Sequence, residues 1–205
     1  MRLLFLPTSI VTTGLLLTAC SNSIDYPAEN SFIAPQAISA SQPTVRQISA
    51  PVSASKPVRA LESEPSQAFV QQMLSAVNSA RARGANCGGK RMPPVAPLTW
   101  NKKLQQAAFV HSNNMAKNDF FNHRGLDGKS SSQRVSDAGY HWRAAGENIA
   151  AGVPDVATAM AGWLSSPGHC VNMMSADFTE MAAARVNNSA TYYGSYWTQV
   201  FAAPF

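Results

Sequence analysis

The chain has 205 residues, of which 16 are Lys or Arg and 11 are Asp or Glu, for a net charge of +5 with neutral histidines. That mild excess lacks the dense basic patch of a nucleic-acid binder, so nucleic acid is not an expected partner. The length suits one domain of ordinary size with flanking segments.

At the N-terminus, the single charge of Arg2 precedes the apolar runs Leu3–Leu6 and Ile10–Leu17. This run is too short to span a bilayer, and residues 1–19 read as a signal peptide. Its end, Leu17-Thr18-Ala19-Cys20, resembles the bacterial lipobox. That resemblance implies that the Cys20 thiol accepts a diacylglyceryl group before cleavage. Two or three fatty-acyl chains, palmitate among them, then make a stable anchor. The protein is therefore expected to be exported and lipid-anchored to a bacterial membrane. Ser21 is not Asp, so the outer membrane is favoured where the cell has two. Loss of residues 1–19 leaves 15 basic and 11 acidic residues, a net of +4. Such a surface suits attraction to anionic lipid, polysaccharide or cell wall.

From Ser21 to Ser66 there are ten Ser and six Pro in 46 residues, with no sustained helical or strand periodicity. This composition buries too little apolar surface to offset chain entropy. Residues 20–66 are thus expected to be a lipidated, disordered linker that holds the rest away from the bilayer.

Residues 67–205 make one domain. An amphipathic helix is expected over Gln67 to Arg83, with Phe69, Met73, Leu74 and Val77 on one face. Gly84 to Pro97 reads as an irregular loop carrying Cys87. Asn101 caps a second helix running to about Lys117, along which Leu104, Ala107, Ala108, His111 and Met115 recur at helical steps. A short helix follows near Ser131 to Ala138, then a loop through Gly146-Glu147-Asn148, then a helix from Pro154-Asp155 past Trp163. Ser166-Pro167-Gly168 reads as a turn. Met181 to Val186 and Tyr192 to Phe201 read as a closing β-hairpin turned at Asn187-Asn188-Ser189.

Of three cysteines in an exported chain, Cys20 is consumed by lipid, which leaves Cys87 and Cys170 to pair in an oxidising compartment. Closing that loop would stabilise by roughly 4 kcal/mol in the chain-entropy model. A reactive Cys170 beside His169 is the rival reading.

No His-Glu-x-x-His and no Gly-x-Ser-x-Gly occurs. What remains is a scattered set: His123 after Phe121-Asn122, Glu147 in Gly146-Glu147-Asn148, and His169 after Pro167-Gly168. Two imidazoles and a carboxylate suit a divalent metal or general acid/base chemistry. His111, on an apolar helix face, reads as a satisfied core histidine and His141 as a surface one. For the other three, a purely structural hydrogen-bonded network is the rival.

Several further motifs fall in a fixed order: Pro97-Leu98-Thr99-Trp100, His111-Ser112, Phe121-Asn122-His123, Gly146-Glu147-Asn148-Ile149-Ala150, Trp163 through His169 with Asn172, and Trp197-Thr198-Gln199-Val200-Phe201. Together they resemble the CAP superfamily of cysteine-rich secretory proteins, antigen 5 and pathogenesis-related proteins, and its bacterial SCP-like branch in particular. The resemblance implies an α+β fold, a three-layer α-β-α sandwich with a small antiparallel sheet and a broad cleft. It also implies that His123, Glu147 and His169 line that cleft as metal ligands or as catalytic candidates, for Zn2+ or another divalent cation. Ser166 stands where eukaryotic members have a second Glu, so metal affinity is expected to be weaker. In the strand at Glu180 to Ala184, alanines replace the family's Gly-x-Gly. Asn148, Trp163, Asn172 and Gln199 are expected to be scaffold around the cleft.

Three functions compete. The first is an envelope module, monomeric, that binds a metal or small ligand. The second is a metal-assisted hydrolase acting on peptide or cell wall, with Glu147 as general base. The third is a protein-interaction or lipid-binding module.

Overall fold

A computed structural model describes residues 65–205. The expected signal peptide, the lipidation of Cys20 and the linker lie outside the described residues, apart from the linker's last two positions.

The first four helices begin where a side chain satisfies their first free amides. Ser66 accepts from Phe69 N to start α1 (Gln67–Arg83), and Gly84, at φ 75°, ends it. Asn101 accepts from Lys103 N and Leu104 N to start α2 (Lys102–Asn118). Ser130 and Gln133 form a reciprocal capping box on α3 (Ser131–Asp137). Asp155 caps α4 (Val156–Ser165), and Pro167 opens α5 (Pro167–Met174). The expected turn at Ser166-Pro167-Gly168 is therefore the junction of two helices.

The expected loop at Gly84–Pro97 contains a small hairpin, β1 (Ala85–Cys87) with β2 (Lys90–Met92). Gly88 and Gly89 both take positive φ, as a two-residue primed turn requires. The main sheet has four strands in the order β3 (Thr99–Trp100), β5 (Glu180–Asn187), β6 (Ser195–Pro204), β4 (Trp142–Ala151). All its pairings are antiparallel except the two-residue β3–β5 contact. The terminal hairpin forms, but its loop covers 188–194, so Tyr192 and Tyr193, expected in the second strand, lie in the loop; β6 lies inside the sheet, between β5 and β4.

Gly146-Glu147-Asn148, expected in a loop, stands in the middle of β4. Its alanines, glycine and single acid have poor strand propensity, but Gly146 through Ala151 pair residue for residue with β6, from Phe201 back to Tyr196. Tertiary pairing with a strongly β-forming neighbour overrides local preference here.

Helices cover both faces of the sheet. On one, Leu104, Ala107 and Ala108 of α2 meet Ala182, Ala184 and Val200. The small side chains let helix and sheet approach closely, so the alanines of β5 pair and pack without the family's glycines. On the other, Met73 and Val77 of α1, Met160 and Trp163 of α4 and Met173 of α5 pack on Met181, Ala183, Trp197 and Phe201. The result is the three-layer α-β-α sandwich. Within this second layer Arg81 of α1 is 1% exposed and donates to the carbonyls of Ala96, Met173, Ser175 and Phe178, tying α1 to the end of α5 and to the segments before β3 and β5. Among the described residues, no helix is long and apolar enough to cross a membrane.

Candidate functional site

β4 is an edge strand, and its outward carbonyls need donors. Asn172 Nδ2 of α5 donates to the Glu147 carbonyl and Trp163 Nε1 of α4 to that of Ile149. Asn148 Nδ2 donates to the His169 carbonyl and to Gln199 Oε1, while its Oδ1 accepts from Asn172. These four are the scaffold that their sequence context suggested. They bind α5, and with it His169, to the strand that carries Glu147.

Alternation along β4 turns Asn148 toward α5 and Glu147 toward α2 and α3. The Glu147 side chain is only 2% exposed, yet three basic groups surround it. His123 Nδ1 lies 2.7 Å from Oε1 and Arg134 Nη2 lies 2.7 Å from Oε2, with His111 Nε2 at 4.0 Å from Oε1. Burial alone would raise this carboxyl's pKa. The His123 hydrogen bond, followed by the charge of Arg134, outweighs it and holds Glu147 below the usual carboxylate range. An ionised carboxylate only accepts, so His123 Nδ1 carries a hydrogen and donates it, and in the neutral ring the lone pair is then on Nε2.

Arg134 is the residue that the sequence reading missed. It sits on α3, and besides Glu147 it donates to the carbonyls of His123 and Lys129. One guanidinium thus holds both the carboxylate and the backbone of the histidine that the carboxylate orients. The signal was a lone arginine in a short, otherwise polar helix, where an exposed position is the usual outcome.

His111 is fully buried, as expected of a core histidine, and its Nε2 donates to the Asn122 carbonyl at 2.9 Å. Among the described residues its Nδ1 has no hydrogen-bond partner, so it is only half satisfied. Burial pushes its pKa down to about 4 despite the attraction of Glu147, which leaves a neutral ring. His169 is likewise pushed down to about 4, by burial first and then by the charge of His123. His141 is exposed, as expected.

The structure brings His123 and Glu147 into direct contact and His169 within electrostatic reach of His123. For a cation, the donors fit unequally. Neutral imidazoles are what a divalent metal requires, but each Glu147 oxygen already holds another side chain. Among the described residues, no group of three or more His, Cys, Asp or Glu is disposed to hold a metal. That leaves the imidazoles of His123 and His169 as the candidate donors, with the carboxylate orienting His123 from behind.

Cys87 and Cys170 are joined by a disulfide, which excludes a free Cys170 thiol beside His169. The bond ties the β1–β2 hairpin to α5 one residue past His169.

An α-β-α sandwich with a buried carboxylate flanked by histidines along its edge strand defines a CAP-type domain. The sequence pattern of the cysteine-rich secretory protein family (CAP) matches residues 74–201, and the chain belongs to that family. It is 33% identical over 87 residues to the uncharacterized membrane protein YlbC of Bacillus subtilis, a match covering 42% of this chain and 25% of that protein. It is 29% identical over 107 residues to the uncharacterized protein YkwD of the same organism, covering 52% and 40%. An extracellular protein containing an SCP domain from Bacillus anthracis superposes with a TM-score of 0.54 at 27% identity, covering 66% of this chain and 40% of that one. The matched regions thus make up a quarter to two-fifths of these relatives' lengths.

Proposed function

We propose that this protein is exported, anchored to a bacterial membrane through a lipid on Cys20, and uses the His123/His169 cleft to bind a divalent cation such as zinc at the cell envelope. The observation that carries the cation reading is the Glu147–His123 contact at 2.7 Å, which fixes the tautomer with a lone pair on Nε2. His123 and His169 would hold the ion. Glu147 and Arg134 would act through His123. A bound zinc would supply a Lewis acid able to polarise a carbonyl or a water. Export is supported by the apolar N-terminal run and by the likeness to an extracellular SCP-domain protein.

Zinc titration of the chelator-stripped protein by calorimetry tests the cation reading. His123→Ala and His169→Ala should each weaken binding at least about tenfold, and Glu147→Gln by about ten- to a hundredfold, as orienting groups behind a ligand do. If wild type and variants behave alike, the reading is lost. For the anchor, Cys20→Ala should move the protein from the membrane fraction to the soluble one; unchanged fractionation would remove it.

Hydrolysis is the second reading, favoured by the carboxylate-oriented imidazole itself. Glu147 is buried and paired, so His123, whose side chain is 32% exposed, is the accessible base. Cleavage of wall fragments or peptides that disappears in His123→Ala would establish it.

A further inference from the structure

On the face of the sheet that carries Glu147, β4 leads along Ile149 and Ala151 to Gly152, where the chain meets the loop between β5 and β6. That loop presents Tyr192 at 78% exposure and Tyr193 at 37%. Tyr193 packs on Phe121 at 5.7 Å between ring centroids, on Tyr196 at 5.8 Å and, edge to face, on Tyr192 at 4.9 Å. Phe121 is two residues from His123. An aromatic row therefore runs from the cleft to the loop tip. Gly152 lies beneath it, where an added Cβ would come within 3.7 Å of the Tyr193 ring. From Glu147 to Gly152 is five strand residues, about 17 Å.

The loop is held firmly. Asp119, the non-glycine residue at φ 48° that ends α2, accepts from Tyr192 N at 3.0 Å and from the Tyr196 hydroxyl at 2.6 Å through one oxygen. Asn188 donates to the Ala116 carbonyl and accepts from Ala190 N. Two attachments to the end of α2 thus fix rings that water surrounds, so little ordering entropy remains to be lost when something stacks on them.

The chemistry of the surface narrows the occupant. From Val186 to Phe205 there is no charged side chain, the loop's other residues are Asn, Ser, Ala, Thr and Gly, and the carboxylate that meets the loop is that of Asp119. A neutral partner with many hydroxyls fits such a surface better than an anionic one. Two rings offer at most about 300–500 Å², less than the ~800 Å² that each side of a stable protein interface buries. A sugar ring fits: its C–H face packs on the negative face of an aromatic ring while nearby amides meet its hydroxyls.

We infer that the Phe121–Tyr193–Tyr192 row is a stacking subsite for a neutral saccharide chain running from Tyr192 past Phe121 toward His123. The site stands whether or not the cleft holds a metal.

The test is titration of the purified protein with chitotetraose, a neutral N-acetylglucosamine tetramer, followed by aromatic NMR shifts. Saturable shifts of Tyr192 and Tyr193 are expected. Tyr192→Ala, at an exposed position that leaves the core alone, should weaken binding about tenfold, and Tyr192→Phe should stay within about threefold because the ring face remains. His123→Ala should leave the tyrosine shifts in place, which separates this site from the cation reading. The inference is overturned by an absence of saturation at millimolar sugar, by equal affinity in Tyr192→Ala, or by Tyr192-dependent binding to lipid vesicles or self-association in place of sugar binding.

Discussion

Glu147 is the residue on which the site turns, because it is a buried charge whose cost is met by specific partners. Removing one member of such a set leaves the others uncompensated, typically at about 3–5 kcal/mol. Arg134→Met should therefore destabilise by about that amount in urea unfolding, and Arg134→Lys by less, since an amine keeps the charge but loses the fork. Equal stability of both variants and wild type would show that Glu147 finds a substitute partner. Gly146, beside it, has a separate role: a Cβ there would lie 2.8 Å from Phe178 Cζ. Gly146→Ala should thus lower the melting temperature without touching any titratable group. Of the site residues, His123, Glu147 and His169 were readable in the sequence as motif positions. Arg134 was not, since nothing local distinguishes a buried arginine from an exposed one.

Among the elements, α5 carries the most constraint. It brings His169, it caps the edge of β4 through Asn172, its end is held by Arg81, and its Cys170 is bonded to Cys87. Cys87→Ser with Cys170→Ser should destabilise by about 4 kcal/mol in the chain-entropy model, measurable as a lower urea midpoint. A reductant should have the same effect on wild type and none on the variant. The pairing was legible because the reading that assigns Cys20 to a lipid leaves two cysteines to pair. The helix boundaries were legible where Ser66, Asn101 and Asp155 supply cap oxygens. β4 was not, because a strand of small and polar residues has no alternation strong enough to announce itself.

For the molecule as a whole, pH dependence follows from the buried histidines. His111 and His169 have folded-state pKa values of about 4, below the ordinary 6.5 of an unfolded chain. Between those values the unfolded state binds more protons, so stability is fully present above about pH 6.5 and falls as the pH drops toward 4. Glu147, also depressed on folding, adds a loss at more acidic pH. Melting temperatures from pH 7.5 to 4.5 should decline progressively, and His111→Gln should flatten the slope. A flat wild-type profile would mean that these rings protonate as readily folded as unfolded.

The sequence by itself determined what depends on neighbours along the chain: the capped helices, the terminal hairpin, the cysteine pair and the order of the motifs. Only the tertiary structure decided that Gly146-Glu147-Asn148 is a strand, that Arg134 faces inward, and that His111 and His123 gather with it about one carboxylate. Those features rest on pairing with β6 and on desolvation between two helical layers. Both are energies of contacts distant along the chain, and no local pattern encodes them.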